Sequence, residues 1–195
     1  MKAFLSLSRS ILQVLPVVIL VGCSAPEVYR LDTAITSPSQ AQANSFEDDQ
    51  IAASFEVTQD SIAMKLKNKT RKPLKILWTQ SNFIDVEGQS RGITHMAFRP
   101  PPRGVKDTPS TSSVPPGAEL SDTIILFTRP GPSGMKPVEP FFEGLAVGQG
   151  QWPEERLRKT YTGQTFVLLL TIQSDTITPY RFRFRINDFN LVKSR

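Results

Sequence analysis

One cysteine, Cys23, and one histidine, His95, serve all 195 residues. A lone thiol cannot close a disulfide within the chain, so stability has to come from a packed core. One thiol and one imidazole also fall short of the four ligands of a structural zinc site. No metal or dissociable cofactor is therefore expected. The excess of base over acid is small, 23 Lys and Arg against 18 Asp and Glu. That excess is mild, not the footprint of a dedicated nucleic-acid binder, and no nucleic-acid partner is expected. Sustained helical periodicity is missing as well. The only long apolar run is Ile11 to Val21. It is roughly half of the ~20 residues that span a bilayer core, and Gln13 and Pro16 interrupt it.

What precedes that run is basic, with Lys2 and Arg9 and no acid. A positive start, a short apolar stretch and a small residue before a cut site describe a secretory signal over residues 1–22. Leu20-Val21-Gly22-Cys23 resembles the lipobox of bacterial lipoproteins. The resemblance implies cleavage after Gly22, a diacylglyceryl thioether on Cys23 and acylation, such as palmitate, of the new amino group. One acyl chain anchors only reversibly, whereas two or three hold firmly. Ser24 comes next after the cysteine and resembles the class sorted to the outer membrane of Gram-negative cells, on its periplasmic face. Without residues 1–22 the chain keeps 21 bases against 18 acids.

Residues 23–49 are rich in Ser, Thr, Ala, Gln and Asn and predict a lipidated, flexible tether, with one ordered patch at Val28 to Leu31. From residue 50 to 195 the apolar period is two. Ile51, Ala53, Phe55 and Val57 share a face; Ile62, Met64 and Leu66 share the next, with Thr58 to Ser61 as the turn between them. Leu74 to Trp78 alternates. Phe83 to Val86 and Arg91 to Met96 flank Glu87-Gly88 as a second hairpin. Further strands are read at Ala118 to Phe127, Thr165 to Ile172 and Tyr180 to Leu191. Seven or eight strands predict an all-β, antiparallel β-sandwich of immunoglobulin-like layout. The stretch from Asn68 to Gly88 is similar to bacterial lipoproteins built on such a sandwich, a resemblance that implies no activity.

Two long stretches interrupt the strands. Arg99 to Gly117 holds six prolines, and Arg129 to Gly163 holds Phe141, Phe142 and Trp152. Pro153 to Lys159, with acids early and bases late, predicts one short helix. Because Phe166 to Leu170 is apolar on both faces, either Phe141, Phe142 or Trp152 covers its outer side or the strand is a central one with a thick core. The same three aromatics are candidate partner contacts, since loops this long are usually functional or disordered.

The motifs that suggest chemistry are weak. Gly88-Gln89-Ser90-Arg91-Gly92 fits the nucleophile elbow of hydrolases, but the next residues, Ile93 to Phe98, carry no helical stripe. Ser90 and His95 are separated by an odd number of positions, so on one strand they point to opposite faces. Asp85, Glu87 and Asp122 are candidate acids that no spacing pairs. Asn68-Lys69-Thr70 reads as a turn, and Glu47-Asp48-Asp49 as the solvated end of the tether. Two basic stripes stand out: Lys65, Lys67 and Lys69, and Arg181, Arg183 and Arg185. On one shared sheet face they would contact anionic phosphates of the envelope. The sequence thus predicts a membrane-anchored, non-catalytic envelope lipoprotein binding a protein or an anionic polymer. The alternatives are an assembly accessory of an envelope machine and a hydrolase of envelope material.

Overall fold

The computed structural model describes residues 27–96, 111–126, 141–142 and 152–193. The lipobox, Cys23 and most of both long interruptions lie outside the described residues. The elements run β1 (Glu27–Ser37), β2 (Ser45–Glu47), β3 (Ile51–Thr58), β4 (Ile62–Asn68), β5 (Leu74–Leu77), β6 (Asn82–Ile84), β7 (Ser90–His95), β8 (Thr111–Val114), β9 (Glu119–Leu126), α1 (Glu154–Tyr161), β10 (Thr165–Gln173) and β11 (Ile177–Lys193).

The strands do not form two open layers. They run in the order β11-β1-β3-β4-β9-β7-β6-β10, and β10 pairs back onto β11. Eight strands therefore close into an antiparallel barrel, which replaces the expected immunoglobulin-like sandwich. Closure rests on β1. Ten of its residues pair with β11, from Glu27↔Lys193 to Ser37↔Arg183, and its other edge meets β3 at Arg30↔Thr58 and Leu31↔Val57. A closed barrel leaves no continuous free edge. Residues 27–47, expected as tether, are thus wall: β1 closes the ring and β2 extends the edge of β3. Thr33, a polar residue on the inward face of β1, bonds Asn44 Oδ1 at 3.0 Å.

Alternation fills the interior. Phe55, Phe166, Phe182 and Phe184 point inward, with Phe166 stacked on Phe184 at 4.9 Å and Phe55 edge-on to it at 5.5 Å. An eight-stranded barrel is just wide enough for its own side chains to fill. β5 and β6 run in the same direction along one edge of β10, broken by a 3-10 turn at Trp78–Gln80. β8, inside the proline-rich stretch expected to be irregular, pairs with β5 outside the ring.

The end of the barrel near α1 is closed from within. Phe142 touches Phe166 at 5.4 Å and Tyr161 of α1 at 5.7 Å, while Phe141 lies 4.5 Å from Phe83. These aromatics occupy the mouth, so the expectation that they cover the outer face of β10 is corrected. Near Thr171 that outer face is covered by the 3-10 turn instead: Thr171 Oγ1 donates to Gln80 O at 2.7 Å.

Candidate functional site

A concave outer surface crosses β2, β3, β4 and β9. Pairing register places Ser45 opposite Ser54, Ser54 opposite Lys65, and Lys65 opposite Ser121. All four side chains are exposed. With strands ~4.8 Å apart, this row of three hydroxyls and one ammonium spans about 14 Å. Two depressions adjoin along it, and both are lined by Ser54 and Lys65. One, about 350 Å³, is bounded by Gln40, Gln42, Lys67 and Glu119. The other, about 410 Å³, is bounded by Glu56, Ala63 and Thr123. Small residues at Ala52, Ser54, Ala63 and Ser121 let the surface sink between the longer side chains.

The basic residues around this trough differ in what they have free. Lys65 makes no ion pair among the described residues. Lys67 sits in register opposite Glu119. Lys69 is engaged by Glu47 at 2.7 Å and donates to Asp48 O at 2.5 Å. The hydrogen bond and charge of Lys69 hold the Glu47 carboxyl below its usual range. Asp48, expected in a solvated tether end, instead accepts the N–H groups of Gln50 and Ile51 at 2.8 and 2.7 Å and the hydroxyl of Tyr180 at 3.0 Å. Burial and the Asp48 charge push that phenol well above its usual pKa. Asn68 accepts from Thr70 N at 2.8 Å in the expected turn.

Arg181, Arg183 and Arg185 are also exposed on the outer wall, but on β11. Their strand lies three positions of eight around the ring from β4, with β1 and β3 between. Curvature therefore turns the two stripes well over a right angle apart, and the structure does not bring them onto one face. The arginines instead neighbour Leu169, Val167 and Thr165 of β10.

Ser90 and His95 are not brought together either. Ser90 is exposed and accepts from Asn82 Nδ2 at 2.7 Å, while His95 points inward with 6% exposure. Gly88 holds φ +82° in the turn capped by Asp85, a hairpin and not a strand-to-helix elbow. Asp85 is ion-paired with Arg91 at 3.1 Å.

One constellation has no motif in the sequence. His95 Nδ1 and Asp122 Oδ2 share a 2.8 Å hydrogen bond, with both side chains almost fully buried. The imidazole stacks on the Trp78 ring at 4.8 Å and 11°. Asp122 Oδ1 accepts from Thr123 N, and Trp78 Nε1 donates to Ser112 Oγ, both at 2.8 Å. Among the described residues His95 Nε2 has no hydrogen-bond partner. Adjacency of β7 and β9 creates the pair, with His95 opposite Ile124 and Asp122 one inward position along. Only the inward phase shared with Ile93 and Ile124 signals it in the sequence. Among the described residues no group of three or more metal-ligating side chains occurs, and no helix is long and apolar enough to cross a membrane.

No family model, curated protein or solved structure matches the chain.

Proposed function

We propose that the chain is a lipid-anchored envelope protein whose barrel binds an anionic glycan, phosphate- or carboxylate-bearing, in the trough centred on Lys65. The observation that carries this reading is the cross-strand row Ser45, Ser54, Lys65 and Ser121 flooring two adjoining depressions. Hydroxyls and a free ammonium on a rigid sheet suit saccharide hydroxyls and one anionic substituent. A site built on strands also holds its groups in fixed positions. The basic N-terminus and lipobox support anchoring at Cys23, with the outer-membrane periplasmic face favoured by Ser24.

Two experiments test it. Purified protein should bind at low salt to at least one of lipopolysaccharide, teichoic acid or soluble peptidoglycan fragments. Lys65→Glu should weaken that binding at least tenfold, about 1.4 kcal/mol, while Arg183→Glu leaves it unchanged. Failure of the wild-type protein to bind any of the three overturns the ligand reading. For the anchor, wild-type cells fed an alkyne fatty acid should label the protein, and intact mass should show diacylglyceryl on Cys23. Cys23→Ser should carry neither label nor added mass. An unlabelled mature wild-type chain would end the anchoring reading.

A further inference from the structure

Covalent reach sets which end of the barrel meets the anchor. Glu27, the first residue of β1, lies four residues after Cys23. Fully extended, four residues span at most ~14 Å. β1 begins at the α1 end: Arg30 and Leu31 pair with the last residues of β3, and Tyr29 N donates to Gln59 of the β3–β4 turn. Beyond Arg185, where pairing with β10 stops, β11 continues paired with β1 to Lys193, forming a ribbon that β3 joins only at Arg30 and Leu31. The helix α1 packs beneath that ribbon, with Tyr161 6.1 Å from Phe189 and Arg158 bonded to Asp188 and to Phe189 O.

What α1 presents at this rim is a stack of aromatics and a cation. The Trp152 indole is nearly parallel to the Tyr161 ring, 6.3 Å away, and the Arg156 guanidinium sits over it, 3.8 Å from its centroid. Trp152 is only partly buried, and Arg156 and Lys159 are exposed. Arg158 is taken up by Glu154 and Asp188, which leaves Glu155 as the acid against Arg156 and Lys159. An amphipathic indole beside cations suits the level of lipid headgroups, where one side is apolar and the other wet.

Resting on the reading that Cys23 is lipidated, we propose that the α1 rim docks on the headgroups of the leaflet that holds the anchor, through Trp152 and Arg156. The occupant is a bilayer surface bearing anionic headgroups. Docking in this way orients the barrel and gives each wall a fixed height above the membrane. The Lys67–Glu119 side of the trough then faces away from the bilayer, because those residues lie at the opposite ends of β4 and β9. The glycan is thereby met from the envelope space and not from the protein's own leaflet.

The two tryptophans make this measurable, because Trp78 is 3% exposed in the barrel wall. Full-length lipidated protein would be reconstituted into vesicles of phosphatidylethanolamine and phosphatidylglycerol, with and without brominated acyl chains. Bromine should quench emission in wild type, and Trp152→Phe, which keeps an aromatic ring against Tyr161, should lose that quenching. Arg156→Glu should reduce it. Unquenched emission from vesicle-bound protein whose Cys23 lipid is confirmed by mass overturns the docking alone. Quenching that survives in Trp152→Phe overturns it too. Absence of lipid on Cys23 overturns the anchor, and the docking with it.

Discussion

Replacing Phe142 with alanine should lower the melting temperature by roughly 10–20 °C, the product of a cavity cost at the upper end of 3–5 kcal/mol and 2–4 °C per kcal/mol for a chain of this size. Phe142 is 2% exposed and touches Phe83, Phe166 and Tyr161, so three elements lose a shared contact at once. Phe141 and Phe142 themselves lie in a bend, outside any strand or helix. The backbone there is fixed in part by Phe141 N donating to Gln59 O at 2.9 Å. Rigid strands around the mouth cannot collapse into the space a phenyl leaves, which puts the cost at the upper end of that range. Thermal denaturation monitored by circular dichroism measures it. A double-mutant cycle with Phe166→Leu should return about 0.5–1.5 kcal/mol of coupling. Trp152→Ala, at a partly buried site at the edge of the core, should cost clearly less. A Phe142→Ala barrel that melts within 2 °C of wild type would show that the mouth is not sealed by this ring.

The strands that fill the barrel are legible in the sequence because their inward faces are almost purely apolar. Ile51 to Val57, Ile62 to Leu66 and Phe182 to Ile186 alternate without a fault, and both hairpins fall where turn residues predict them. Closure is not legible, because it depends on which distant strands meet. β1 has the same period, with Tyr29, Leu31, Thr33 and Ile35 inward, but Thr33 breaks its apolar stripe and its surroundings are polar. Without that strand there is no link between β11 and β3, and the remaining strands suggest an open sandwich. The double-sided apolarity of β10 does signal a need for cover. Its cover is supplied in part by the turn after β5, and no periodicity marks such a turn.

The candidate site divides in the same way. Lys65 and Lys67 are visible as outward residues of an alternating strand. That serines flank Lys65 on both sides is a matter of register, and register is set by neighbours far along the chain. Curvature separates the arginine stripe from Lys65, and nothing local to either strand encodes curvature.

The buried His95–Asp122 pair should show the strongest non-additivity in the molecule. A carboxylate only accepts, so Nδ1 carries the hydrogen of the 2.8 Å bond, and Nε2 is left as a buried ring nitrogen with no hydrogen-bond partner among the described residues. Asp122→Ala would strip the ring of its one hydrogen-bond partner among the described residues and leave Nδ1 newly unsatisfied, at a cost of about 1–3 kcal/mol. His95→Phe would keep the stack on Trp78 but leave a carboxylate buried with only the Thr123 N–H, and should cost about 3–5 kcal/mol. The double variant His95→Phe/Asp122→Leu removes both polar groups together and should lie within about 1 kcal/mol of wild type. Urea unfolding of the four proteins gives the coupling energy directly, and additive costs would sink the account of a mutually dependent pair. The same double variant also locates the function. If it folds and binds glycan as wild type does, with Lys65→Glu still weakening binding at least tenfold, the pair serves the wall and the trough serves the ligand. If it folds but binds nothing, the ligand site belongs at His95 and the Lys65 trough is displaced from that role.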